Sequence, residues 1–176
     1  MSHINIEIKA RYFLHNHAKD ELRLRDAKYL GLDHQVDTYF KVPQGRLKLR
    51  QGNIENALVY YIREDTKGPK KSDVLLYNLP KKGTKILKQI LSNVLETLVV
   101  VDKNREIYIK DNLKFHLDSV KGLGEFIEIE AIDKESNIPQ EDLLKDVNYY
   151  LDLFQVKKDD LIEGSYSDML VQKHKR

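Results

Sequence analysis

The chain contains no cysteine in its 176 residues. That excludes a disulfide framework, a thiolate metal site and a thiol nucleophile, and makes a reducing, cytoplasmic setting the natural expectation. Apolar runs such as Leu98–Val101 fall far short of the roughly 20 residues a membrane-spanning helix needs. Met1-Ser2-His3 leads straight into a charged strand pattern, with no apolar core of a secretion signal. An excess of one charge is also missing: 30 Lys and Arg face 28 Asp and Glu, a net charge of +2, which argues against a nonspecific nucleic-acid binder. With only four prolines and eight glycines, no Pro/Gly/Ser-rich stretch divides the chain. Residues 1–176 read as one domain, long enough to bury a core without staples.

Alternation of apolar and polar residues dominates the pattern. Ile4, Ile6, Ile8 and Ala10 point one way and Asn5, Glu7, Lys9 and Arg11 the other, which is a strand with one charged face. Asn16 to Leu30 reads as a helix with Ala18, Leu22, Ala27 and Leu30 on its apolar stripe and Gly31 as its stop. Strand patterns follow at Gln35–Val42, Arg46–Gln51, Ala57–Glu64 and Asp73–Leu79, with turn residues between them. A second helix is predicted from about Thr84 to Leu95, then strands at Leu98–Lys110, Leu113–Val120 and Phe126–Ile132. Pro139 suits the first turn of a third helix carrying Leu143, Leu144, Val147, Leu151 and Phe154, and Ser165 with Asp168 can cap a short last one. The six histidines form no helical metal-binding pair and read as incidental.

The charges are segregated by sign. Arg46, Lys48 and Arg50 share one strand face, and Glu128 and Glu130 share another. Any one such strand could simply face water, but solvent-facing strands usually mix signs and pair them across strands. Neighbouring cations repel unless an anion sits between them, and a polyphosphate would serve. Carboxylates nearby become compatible with that anion if they hold Mg²⁺ or Mn²⁺, hard cations that bridge to phosphate oxygens. About eight antiparallel strands closed into a barrel enclose room for one small ligand. The expected architecture is therefore α+β: a closed antiparallel barrel with a charged interior and helices packed on its apolar outside.

Several segments, in this order, carry a resemblance. They are Asn5-Ile6-Glu7-Ile8-Lys9, Asp37-Thr38-Tyr39-Phe40, Gly45-Arg46-Leu47-Lys48-Leu49-Arg50, Lys103-x-Arg105, Leu117-Asp118-Ser119-Val120, Gly122 to Glu130 and Ser165-Tyr166. Over nearly its whole length the chain resembles the CYTH, or triphosphate tunnel metalloenzyme, family, particularly its class IV adenylyl cyclase-like branch. The resemblance implies Glu7, Glu128 and Glu130 as metal ligands for Mg²⁺ or Mn²⁺. It implies Lys9 and Asp118 as catalytic, Asp118 being a ligand or orienting group. It implies Lys48, Arg50, Arg63, Lys103 and Arg105 as a phosphate clamp, with Arg46 at the tunnel mouth, Lys71 in a closing loop, and Tyr39 and Tyr166 shaping the tail end. Asn5 departs from the family motif, standing where a first Glu is expected, and removes one negative charge from the metal end.

The implied function is a divalent-metal-dependent enzyme acting on the triphosphate of ATP or a related small molecule. Cyclisation of ATP to cyclic AMP and pyrophosphate comes first. Hydrolysis of tripolyphosphate, a nucleoside triphosphate or thiamine triphosphate is the alternative. A noncatalytic polyphosphate-binding module, suggested by Asn5, is a third reading, and an RNA-binding barrel, whose backbone the clustered carboxylates would repel, ranks last. No nucleic-acid or membrane partner is expected, and a homodimer is among the allowed assemblies.

Overall fold

A computed structural model describes residues 2–63, 70–133 and 138–175, with backbone alone for residues 2–5, 63, 70 and 71. The fold is α+β, with eight strands and four α-helices among the described residues: β1 (Ser2–Arg11), α1 (His15–Leu24), β2 (Lys28–Phe40), β3 (Arg46–Gln51), β4 (Ala57–Arg63), β5 (Lys70–Asn78), α2 (Thr84–Val94), β6 (Thr97–Lys110), β7 (Leu113–Val120), β8 (Gly124–Asp133), α3 (Gln140–Leu153) and α4 (Tyr166–His174). All pairings are antiparallel, in the order β1-β5-β4-β3-β2-β6-β7-β8. β1 lies between β5 and β8, pairing with the latter from Ile4↔Asp133 to Arg11↔Phe126. Side chains alternate across each strand, so the register puts Lys9, Lys48, Arg50, Lys103, Arg105, His116 and Glu128 on the inner face of this ring of pairings.

The main core lies outside the ring. Ile6, Ile8 and Ala10 of β1, Phe115 and Leu117 of β7, and Ile127 and Ile129 of β8 meet Ala18 and Leu22 of α1 and Leu143, Val147, Leu151 and Phe154 behind them. Fully burying each large side chain here contributes about 1.5–3 kcal/mol, which fixes the outward face of these three strands and so aims their alternate residues inward. A second cluster joins inward-facing Val99, Val101, Val120 and Phe126 to Tyr166 and Leu170, so α4 plugs one end of the ring. Its start is held by the expected Ser165/Asp168 capping box.

Two sequence expectations are corrected. The first helix ends at Leu24, because Asp26 takes a left-handed φ of 56° and the Ala27 amide donates back to the Leu22 carbonyl. Ala27 and Leu30 therefore leave the helical stripe. Gly31, read as a helix stop, sits instead at a register shift inside a β2 that begins at Lys28, and its φ of 136° suits that irregularity. The second correction concerns α2. Its boundaries match expectation, yet Ile86, Ile90 and Val94 on its apolar stripe are exposed, as are Leu75 and Tyr77 on the outer face of β5. Among the described residues, helices cover the ring's outside over β1, β7, β8 and the Tyr108 end of β6, and leave the outer face of β5 exposed.

Candidate functional site

The ring encloses a cavity of about 960 Å³. Its cationic region is built around Asp37, fully buried on β2 and directly opposite Arg50 of β3. Asp37 accepts from Arg50 Nε at 2.9 Å and Nη2 at 3.0 Å, Lys103 Nζ at 2.9 Å and Lys48 Nζ at 3.3 Å. Burial alone would raise this carboxyl, but Arg50, Lys103 and Lys48 overcome it and hold it well below the ordinary range. With Lys114, these three cations share two carboxylates, Asp37 and Glu55, so they are incompletely neutralised. Burial pushes Lys103 down to about 7, opposed by Asp37 and reinforced by the charges of Arg50, Arg105 and Lys48.

Next to it, Glu55 accepts from Arg50 Nη1 at 3.0 Å, from Gln35 Nε2 at 3.1 Å and from Lys114. Its loop is pinned by buried Asp33, whose carboxylate accepts the backbone N–H groups of Asn53, Ile54 and Glu55 at 2.6, 2.8 and 3.0 Å. Gly52 makes that wrap feasible, since a Cβ there would lie 2.5 Å from the Glu55 carbonyl and 2.8 Å from Asp33.

On β6 and β7, Arg105 donates to both oxygens of Asp118, at 2.7 and 2.6 Å, and lies 3.4 Å from Glu128. Asp118 also accepts from the Tyr166 hydroxyl at 2.7 Å. The bidentate pair fixes the guanidinium plane, as a fork-to-carboxylate contact does.

The acidic region comes from β8, β7 and β1. Glu128 meets Lys9 Nζ at 2.6 Å. Glu130, paired in register with Glu7 across β1 and β8, is pushed up to about 8, first by burial and then by the charge of Glu128. His116 Nδ1 is 3.4 Å from Glu128 Oε1 and 3.6 Å from Glu130 Oε1. It is within hydrogen-bonding geometry of neither, and both ring nitrogens are buried without a hydrogen-bond partner among the described residues. Burial, with the charge of Arg105, holds this imidazole neutral, at about 3. Among the described residues, His116, Glu128 and Glu130 present ligand atoms within 4.8 Å of one another, a nitrogen and carboxylate set that fits a divalent cation.

Of the residues singled out from sequence, Glu7, Lys9, Lys48, Arg50, Lys103, Arg105, Glu128 and Glu130 line the same cavity. Asp118 does not; it stands behind Arg105, fully occupied in holding that guanidinium and Tyr166. The side chains of Arg63, Lys71 and Asn5 lie outside the described residues. Arg46 is drawn to Asp168 at 3.1 Å rather than to Asp37. Sequence reasoning missed Glu55, Lys114 and His116 and gave Asp37 no role. Strand parity would have found two of them, because His116 and Lys114 are two and four residues before Asp118 on the same face. Glu55 carried no signal, since a loop places it.

The CYTH domain model matches residues 3–161. The chain belongs to the CYTH family. Members of the family are adenylyl cyclase-like enzymes or triphosphatases that use a metal and act on triphosphates. A Methanocaldococcus jannaschii protein named as a candidate adenylate cyclase is 26% identical over 179 residues, covering 94% of this chain and 98% of that one. A Pyrococcus horikoshii structure superposes with a TM-score of 0.79 at 23% identity, covering 93% and 98% of the two chains. A Hippeastrum protein, described as a candidate adenylyl cyclase with a dominant triphosphatase activity, superposes with a TM-score of 0.63 at 15% identity, covering 98% and 96%. Among the described residues no helix is long and apolar enough to cross a membrane.

Proposed function

We propose that this CYTH domain, spanning residues 1–176, is a divalent-metal-dependent enzyme that binds an organic triphosphate inside its ring of strands, the ring serving as a closed tunnel. The observation that carries this reading is the side-by-side placement of an anion-seeking cluster and a metal-seeking cluster in one cavity. Lys48, Arg50 and Lys103 converge on a single point, where Asp37 holds them in place. A triphosphate entering there meets cations already ordered, which removes most of the cost of assembling the clamp. Lys9 and Arg105, both against Glu128, flank the boundary between the two clusters. They are placed to stabilise charge on a phosphoryl group held between clamp and carboxylates.

Glu128 and Glu130, with Glu7 beside them, would hold the divalent ion, which when bound lowers the pKa of a coordinated hydroxyl or water and neutralises phosphate charge. Asp118 keeps Arg105 in the orientation the clamp requires. Opposite this polar wall, Ala57, Val59 and Tyr61 of β4 and Val74 and Leu76 of β5 line the same cavity with apolar surface. An inorganic polyphosphate gains nothing there, whereas a nucleoside can bury its base. That favours the cyclase-type reaction, in which the ribose 3′-hydroxyl attacks the α-phosphate and pyrophosphate departs into the clamp.

Hydrolysis is the second reading. The clamp is complete without any base-specific polar contact, and water attack on the terminal phosphate needs no in-line ribose. The experiment incubates the purified protein with Mn²⁺ or Mg²⁺ and, separately, ATP, tripolyphosphate and thiamine triphosphate, then resolves products by chromatography. Cyclic AMP with pyrophosphate from ATP is the expected result. Orthophosphate alone would make the protein a triphosphatase, and no product from any of the three would overturn the enzymatic reading.

A further inference from the structure

We propose that His116 is a metal ligand, so that the acidic end of the cavity is a mixed site of one imidazole nitrogen and two carboxylates that prefers a first-row transition-metal dication to Mg²⁺. This deepens the metal-dependent reading and rests on it. His116 is 1% exposed, and among the described residues neither ring nitrogen has a hydrogen-bond partner. A buried polar atom left unmatched costs about 1–3 kcal/mol, so such a group is normally matched by a ligand, an ion or water. Nδ1 is aimed between Glu128 and Glu130, at 3.4 and 3.6 Å from their nearer oxygens. Those distances are too long for good hydrogen bonds, yet the three ligand atoms lie close enough together to surround one cation.

The surrounding cations explain why these three residues form the site. Lys9 lies 2.6 Å from Glu128 Oε2 and Arg105 lies 3.4 Å from the same oxygen, so that oxygen is taken. Oε1, the other one, faces His116. Glu130 Oε1 also faces the ring. The histidine thus supplies a third donor from β7, beside the two carboxylates of β8. A neutral nitrogen in that place changes which ion is preferred. Mg²⁺ demands oxygen donors and keeps several waters, whereas imidazole strengthens binding of Mn²⁺, Co²⁺ or Zn²⁺.

The test uses the full chain, stripped with chelator and loaded with Mn²⁺, and reads electron spin-echo envelope modulation rather than activity. Bound Mn²⁺ is expected to show nitrogen modulation, which changes to the ¹⁵N pattern when the protein is grown with ¹⁵N-histidine. In His116→Gln the modulation should vanish. Competition titrations on that variant should show Mn²⁺ affinity falling at least the ~10–100-fold seen when a metal-site partner is removed, with Mg²⁺ affinity changing less. The labelled wild-type protein decides the question even if the variant folds poorly. Mn²⁺ bound without histidine nitrogen modulation would overturn the inference while leaving a carboxylate metal site intact. Failure of the wild-type protein to bind Mn²⁺ at all would overturn both.

Discussion

The two halves of the cavity handle concentrated charge in opposite ways. Around Asp37, three cations converge on one carboxylate and the excess is positive. Around Glu128 and Glu130, two carboxylates crowd together and the second is pushed up to about 8, so near neutrality it keeps a proton. The first region is pre-ordered by an internal anion and still attracts another. The second is kept compact by a proton and by Lys9, and leaves an imidazole unmatched. One end is thus poised for an anion and the other for a cation, a division that a single metal-triphosphate complex would satisfy at both ends.

The largest effect should come from breaking the acidic half. Glu128→Ala removes a carboxylate that touches Lys9, Arg105 and His116. Metal-dependent product formation should fall by ~10²-fold or more, the scale of losing one preorganised electrostatic contact, and a wild-type rate in this variant would contradict the assignment. Breaking the cationic half comes next. Arg50→Ala should weaken triphosphate binding by ~10²-fold, since a buried hydrogen-bonded charge is worth about 2–5 kcal/mol. Binding of the monophosphate should change much less, as calorimetric titration of both ligands would reveal.

How legible this was in the sequence follows from the kind of signal each residue sends. Strand alternation exposed the inner face, and sign segregation along β3 and β8 showed that the face was not mere solvent coating. The boundaries of α2, β6 and β7 were readable because their periodicity is uninterrupted. The end of α1 was not, because a left-handed Asp26 rather than Gly31 stops it. Asp37 shares its strand face with Asp33, which pins a loop instead, so nothing local distinguishes the counter-charge of a cation cluster from any other aspartate. Its role depends on Lys48, Arg50 and Lys103 arriving from two other strands. His116 sends no signal at helical spacing, because a strand sets same-face residues two apart and its neighbours Glu128 and Glu130 come from another strand. The uncovered stripe of α2 was also illegible, since periodicity shows that a helix has an apolar face but not what covers it.

A finer contrast between the two halves is the sign of their proton linkage. At pH 7 to 8, metal binding should expel the proton from Glu130, releasing toward one H⁺. Triphosphate binding should charge Lys103, which sits at about 7, and so take up part of one. Calorimetry in buffers of different ionisation enthalpy measures both, and like signs would break the comparison. Stability without ligand follows the same bookkeeping. Glu130 is raised from 4.5 to about 8, so its contribution is present below 4.5 and is lost as pH climbs toward 8. Lys103 is lowered from 10.5 to about 7, so its contribution grows from 7 toward 10.5. The smallest expected effect is Tyr166→Phe, which deletes the hydroxyl donated to Asp118 at 2.7 Å. It should cost about 1 kcal/mol of stability in urea titration and loosen Arg105 without dismantling either half.

The most direct test of the central claim is calorimetric titration of ATP, and of AMP in parallel, into the Mn²⁺-loaded protein. The account predicts one saturable site for ATP, at least 100-fold tighter than for AMP, and lost when the metal is chelated. Equal affinity for the two nucleotides, or ATP binding indifferent to the metal, would contradict it.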